Sequence, residues 1–203
     1  MSRRAVKVLL AVAGTALALT AGVLLDEAPY PVRQRWLLDI PLPGLGNRAV
    51  DKVLRARPGE RMLEIGPGSG LQALHVAARL GQDGRLEAMD VQQGMLDVVG
   101  RRARRRRLTN LRVVRGDAHQ LPFEDNQFDA VYMVTVLGEI PHPAGVLTEV
   151  KRVLRPGGRL VVGEFADRHY VRLRRLTRLA NGAGLQLTTV RGLPGDYRAC
   201  FVA

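Results

Sequence analysis

One cysteine, Cys200, stands in a chain of 203 residues. That excludes an internal disulfide framework and any cysteine-rich zinc or iron–sulfur site, and no metal is expected. Lysine is nearly absent: Lys7, Lys52 and Lys151 stand against 28 arginines. Aromatic residues make up only 4% and no RNA-binding signature is present. A net charge of +12 therefore does not by itself make nucleic acid the expected partner. Internal repeats and low-complexity segments are lacking too. Hydrophobic residues reach 46%, which is too many for a disordered chain.

The charge is segregated. Residues 58–100 sum to −3 and residues 121–150 to −5, whereas residues 101–120 sum to +7 and residues 151–203 to +8. The two acidic blocks hold the most motif-like sequence.

Only one long uncharged run exists, the 18 residues Val8–Leu25, preceded by Arg3, Arg4 and Lys7. A hydrophobic helix over 1–28 is expected. Its length is at the lower edge of a bilayer span. Three readings fit it: a membrane anchor through residues 8–25, a helix packed on the domain, and a cleaved signal, although no small-residue cleavage site follows. Residues 29–46 form a Pro/Gly-rich linker, with Pro29, Pro31, Pro41, Pro43, Gly44 and Gly46. This linker is either a short amphipathic turn on the domain edge or a flap over a ligand.

From residue 47 to 203 the pattern alternates. A helix over 47–56 precedes strands over 61–65, 85–89, 111–114, 128–134, 159–165, 185–190 and 197–202. Helices are expected over 71–80, 95–107, 144–154 and 168–183. Such alternation predicts a doubly wound, mostly parallel α/β sheet of seven strands. Leu193-Pro194-Gly195-Asp196 is too short for a crossover helix, so the last strand should run antiparallel.

Candidate chemistry lies at the carboxyl ends of the first four strands. Glu64-Ile65-Gly66-Pro67-Gly68-Ser69-Gly70 follows a strand and opens a helix. Its glycines permit a sharp turn and close approach of a ligand, and the helix end favours acceptors. Leu71 stands where the dinucleotide fingerprint needs glycine or alanine, which argues against NAD and FAD. Asp90, 20 residues after Gly70, is placed to accept from ribose hydroxyls or to cap the following helix. Asp117 is placed to accept from an exocyclic amine. The segment Val134-Thr135-Val136-Leu137-Gly138-Glu139-Ile140 falls at the switch-point crevice.

Four stretches in order resemble the class I S-adenosylmethionine-dependent methyltransferases, in particular the ubiquinone/menaquinone-type small-molecule group. They are residues 62–70, AMDVQQGML at 88–96, RGDAHQLPFEDNQFDAVYMV at 115–134 and VLRPGGRLVVGEF at 153–165. The resemblance implies a Rossmann-like fold, S-adenosylmethionine as cofactor and a small-molecule or lipid-like acceptor. It implies that Glu64, Gly66, Gly68 and Gly70 surround the methionyl part. Asp90 would hold the ribose beside Val91 and Gln92, Asp117 and Ala118 the adenine edge, and Val134 and Thr135 the floor below the sulfonium. A domain using this cofactor is expected in the cytoplasm, free or tethered by the N-terminal helix. Glu139, His142 and His119 are candidate bases, with surface or capping roles as the alternative. Some relatives carry a histidine near position 138 or 139; Gly138-Glu139 here does not support that assignment. A non-catalytic S-adenosylmethionine-binding regulator and an RNA methyltransferase are the rival readings. The arginines at 101–107 and 168–175 are read as solvated helix faces, with acidic lipid headgroups as the alternative contact for the first group.

Overall fold

The computed structural model describes residues 29–39 and 47–203. The expected helix over 1–28 and its membrane readings lie outside the described residues. Among the described residues, no helix is long and apolar enough to cross a membrane.

A 3-10 helix over Val32–Asp39 comes first, followed by α1 (Asn47–Leu54) and β1 (Arg61–Ile65). Then come α2 (Leu71–Leu80), β2 (Arg85–Asp90), α3 (Gln93–Arg105), β3 (Leu111–Arg115) and β4 (Phe128–Val134). After a 3-10 turn over Leu137–Glu139 follow α4 (Pro143–Val153), β5 (Leu154–Phe165), α5 (Leu173–Gly182), β6 (Gln186–Leu193) and β7 (Asp196–Val202). The strands form one seven-stranded sheet in the order β3-β2-β1-β4-β5-β7-β6. Pairs among β1 to β5 are parallel, and β7 runs antiparallel to both β5 and β6. The doubly wound sheet with an antiparallel last strand is as expected.

Successive strand residues feed opposite faces, which is why the central strands read as near-continuous apolar runs. Met62, Ala130, Tyr132 and Val161 pack with Val53 and Leu54 of α1 and Ala73, Val76 and Leu80 of α2. Leu63, Val131, Met133, Leu160 and Val162 pack on the other side with Val146 and Val150 of α4 and Leu176 of α5.

Some boundaries differ from the sequence reading, each for a local reason. Strand β5 begins at Leu154 rather than Arg159, and a register irregularity against β4 absorbs Pro156-Gly157-Gly158. Ala203 holds that bulge on both sides, its carbonyl accepting from Gly157 N and its amide donating to Gly158 O. Helix α5 begins at Leu173 rather than 168 because the preceding amides are bound elsewhere. His169 N donates to Asp167 Oδ1, Tyr170 N to Asp167 O and Val171 N to Glu164 Oε2. Residues 29–46 are not all irregular: eight of them form the 3-10 helix Val32–Asp39.

Candidate active site

The site sits at the carboxyl edge of β1, β2, β3 and β4, where the order reverses from β2-β1 to β4-β5. In open α/β sheets this switch point is the ligand crevice.

The loop after β1 lines one side of the crevice. Gly66, Gly68 and Gly70 have φ of +70°, +52° and +87°, in the left-handed region that suits glycine. Gly66 is also needed for space, since a Cβ there would lie 2.4 Å from Val136 Cγ2. The Ser69 Oγ is buried and has no partner among the described residues. An orphaned buried hydroxyl inside a glycine cradle fits a polar ligand. Glu64 lies behind the loop, fully buried, and accepts from the Tyr132 hydroxyl at 2.9 Å. Burial pushes its carboxyl up to about 8; the Tyr132 bond works against this, and the Asp90 charge adds to it.

Asp90 closes β2. Its Oδ1 accepts from Gln92 N at 2.9 Å, so the side chain caps a turn while its carboxylate remains largely desolvated. Desolvation raises its pKa. Val91 is exposed beside it, and the Gln92 side chain reaches away to donate to Tyr30 O at 2.8 Å. Asp117 is exposed, and its Oδ1 accepts from both His119 N and His119 Nδ1 at 2.9 Å. These bonds hold its carboxyl below the usual range and leave Oδ2 open among the described residues. Ala118 is buried. The other His119 nitrogen, Nε2, lies 2.7 Å from Pro141 O. A carbonyl and a carboxylate both accept, so holding the two contacts requires the doubly protonated imidazolium. His119 is thus a clasp between the β3 and β4 loops, and its pKa is raised chiefly by Asp117.

Val134 ends β4, and Thr135 N donates to Gly163 O at 2.8 Å from a left-handed backbone. His142 takes the position before α4, exposed and without a side-chain cap bond. Glu139 lies in the crevice, where its Oε2 accepts from Tyr30 N at 3.2 Å. A side chain at position 138 has no room: a Cβ on Gly138 would fall 1.7 Å from His169 O. That is the physical reason a histidine there does not carry over.

Two features add to the sequence reading. The 3-10 helix after Pro31 lies across the site as a strap, in line with the flap of the two readings offered for residues 29–46. Leu38 Cδ1 is 3.0 Å from where a Gly68 Cβ would be, and Val32 packs on Gly94. Arg102, read as solvated helix surface, instead donates from both terminal nitrogens to Asp39 at 2.7 Å and from Nη1 to Ser69 O at 2.9 Å. Proline spacing allowed a flap but gave no sign of the Arg102–Asp39 pair that fastens it. The second feature is Glu164, 2% exposed near the end of β5. Its Oε2 accepts from Val171 N at 3.2 Å, and its Oε1 is buried without a partner among the described residues. Burial, with Asp167 and Glu139 adding to it, pushes this carboxyl up to about 8.

A doubly wound sheet, a glycine loop after β1 and carboxylates ending β2 and following β3 are the arrangement with which such folds hold nucleoside-containing cofactors. Residues 63–162 match the family described as methyltransferase domain. The chain is 40% identical over 131 residues to the demethylmenaquinone methyltransferase of Beutenbergia cavernae, covering 64% of this chain and 51% of that protein. It is 37% identical over 112 residues to the ubiquinone/menaquinone biosynthesis C-methyltransferase UbiE of Brucella abortus, covering 55% and 42%. The chain thus spans about half the length of the curated relatives it matches. Among solved structures, a SAM-dependent methyltransferase from Aquifex aeolicus superposes with a TM-score of 0.77 at 21% identity, covering 85% of this chain and 98% of that one. The [4+2]-cyclase SpnF superposes at 0.65 with 27% identity over 71% and 58%. This chain carries a class I S-adenosylmethionine-dependent methyltransferase domain, and S-adenosylmethionine is the cofactor of that class.

Proposed function

We propose that the chain transfers the methyl group of S-adenosylmethionine to a small, lipid-like acceptor of the quinone type. The observation that carries this reading is the convergence of the Gly66–Gly70 cradle, Asp90 and the Asp117 loop on one crevice, in a chain 40% and 37% identical to two quinone methyltransferases over 131 and 112 residues. The bound cofactor supplies an electrophilic methyl on a sulfonium. Everything else is the work of this chain's side chains and backbone.

In this reading Gly66, Gly68 and Gly70, with Ser69 and Glu64 behind them, hold the methionyl part. Asp90 accepts from the ribose, flanked by Val91 and Gln92. Asp117 Oδ2 and the Ala118 backbone take the adenine edge, and Val134 and Thr135 form the floor. Alignment of the acceptor opposite sulfur provides much of the rate, since fixing two reactants in line removes their translational and rotational freedom in advance. The acceptor side is the crevice beyond β4 and β5, where Glu139 and the buried Glu164 stand close enough for the Glu139 charge to raise the Glu164 pKa. A phenolic acceptor must lose a proton, and either carboxylate can receive it when ionised. His142 is exposed at the start of α4 and is the weaker candidate. The reading places the domain in the cytoplasm, where the cofactor is made.

The test is transfer of labelled methyl from S-adenosylmethionine to demethylmenaquinol by the full chain. Labelled menaquinol is the expected product. Saturable cofactor binding with no transfer to any quinol would instead favour a binding protein without turnover.

A further inference from the structure

The edge of the sheet beyond the crevice carries a surface that cofactor binding does not use. Between residues 168 and 195 the chain has six arginines and no aspartate or glutamate. Arg172, Arg174, Arg175 and Arg178, on or just before α5, and Arg191 on β6 are all exposed. None of these five guanidinium groups has an ion-pair partner among the described residues. The four on or just before α5 are like charges close together, which repel one another unless a counter-charge is brought to them, while Arg191, opposite Arg198, projects from the other face of the edge strand.

Apolar side chains lie among them. Leu187 and Val190 of β6 are each 37% exposed and Leu193 is 74% exposed. A shallow groove between α5 and β6 is lined by Leu173, Arg174, Arg178 and Leu187. Arginines interleaved with exposed leucine and valine suit the interface of an anionic bilayer, with guanidinium groups at the headgroups and aliphatic groups at the acyl boundary.

Topology brings one end of this surface to the working end of the sheet, while Leu187, opposite Phe201 and level with Leu160, lies toward the other end. Phe165 at the carboxyl end of β5 pairs with Asp196, and Asp196 pairs with Leu193. The β6–β7 turn therefore stands at the edge where β4 and β5 end. Gly195 N donates to the Tyr170 hydroxyl at 3.2 Å, which ties the turn to the segment whose His169 carbonyl covers Gly138. Leu193, Arg172 and the start of α5 thus flank the acceptor side of the crevice.

We propose that the α5–β6 edge docks on an anionic lipid bilayer and holds the acceptor crevice against it. Docking itself stands on this surface alone; its purpose, drawing a lipid-like acceptor out of the membrane, rests on the function proposed above. Nucleic acid fits less well, because residues 171–196 contain no phenylalanine, tyrosine or tryptophan on which bases could stack. A second copy fits less well too, because a two-fold contact would set arginines against arginines.

The experiment is co-sedimentation of the full chain with vesicles of phosphatidylcholine alone and of phosphatidylcholine mixed with phosphatidylglycerol. It compares wild type with Leu193→Ser and with the triple variant Arg172→Gln/Arg175→Gln/Arg178→Gln. All four positions are exposed, and calorimetric titration with S-adenosylmethionine confirms that each variant keeps its site. Wild type should prefer the anionic vesicles, and the preference should fall with salt. A basic residue near such a surface contributes about fivefold, so the triple variant should lose on the order of 100-fold in partition. Leu193→Ser should lose several-fold on vesicles while leaving retention on RNA unchanged. Equal binding of wild type and the triple variant to anionic vesicles overturns the proposal, since any contribution of residues 8–25 is common to both. So does RNA retention without anionic vesicle binding. Methyl transfer to a short-chain, water-soluble demethylmenaquinol without vesicles separates the two readings. Vesicle docking without transfer leaves the surface assigned and the acceptor wrong; transfer without docking does the reverse.

Discussion

Arg102 grips Asp39 with both terminal nitrogens at 2.7 Å and, through Nη1, also holds the carbonyl of Ser69 in the glycine loop. One side chain of α3 therefore fastens the strap to the cradle it crosses. Tyr30 fixes the other end, accepting from Gln92 and donating to Glu139. The strap packs against Gly68 through Leu38 and reaches Glu139 through Tyr30, so a ligand held by the cradle would meet it.

Arg102→Gln should therefore speed cofactor release. The pair is partly exposed, which limits it to about 1 kcal/mol, or roughly fivefold in the dissociation rate. Stopped-flow displacement of S-adenosylmethionine reads this directly. Asp39→Asn, which leaves the Arg102–Ser69 contact in place, should speed release in the same direction, and release unchanged in Asp39→Asn would show that the ion pair does not latch the strap.

Asp90→Ala should weaken cofactor affinity by about 1–3 kcal/mol, the usual cost of lost charge-assisted hydrogen bonds. Calorimetric titration measures it. An unchanged affinity removes Asp90 from the ribose assignment.

Gly138→Ala should destabilise the fold by about 1–3 kcal/mol, because its methyl would fall 1.7 Å from a backbone oxygen that cannot swing aside. Thermal unfolding should show a lower Tm and looser packing of residues 166–171. An unshifted Tm would mean that the His169 carbonyl does not cover Gly138.

Stability should fall as pH rises across the neutral range. Glu64 titrates near 8 in the fold rather than near 4.5, so between those values the native state holds a proton that the unfolded chain has released. Each step up in pH through that window therefore favours unfolding. Glu164 acts in the same direction over the same window. His119, raised by Asp117, adds stability that is complete below its unfolded value and is lost as pH rises through its folded one. Denaturant titrations between pH 5 and 9 (about the span of these groups) check this. Glu64→Gln should flatten part of the slope and leave the Glu164 share. A wild-type stability that rises over this range contradicts the buried, protonated state of both glutamates.

Much of the fold was legible because it is written in short-range pattern. The apolar runs of β1, β2 and β4, the 3.6-residue spacing of α2 and α3 and the turns at Gly81 and Gly157 each depend on residues a few positions apart. The glycine loop was legible for the same reason: Gly66, Gly68 and Gly70 must sit at fixed offsets to make one turn. The four-residue link after β6 allowed nothing but an antiparallel partner. Misplaced boundaries fell where a side chain took the backbone amides, as Asp167 and Glu164 do ahead of α5.

The amino-acid order by itself thus determined the alternating elements, the cradle and the carboxylates at the strand ends, all of them local consequences of backbone preference and hydrophobic period. Only the tertiary structure decided what closes over them. Tyr30 meets Glu139 across 109 residues and Asp39 meets Arg102 across 63. Residues 168–195 show their lack of acidic residues in the sequence, but only the pairing of β5, β7 and β6 brings the Leu193 turn, beside the start of α5, to the rim of the crevice. Contacts of that range depend on how the sheet is ordered and which face each helix covers. No periodicity records them, because their partners are chosen by packing rather than by neighbours in the chain.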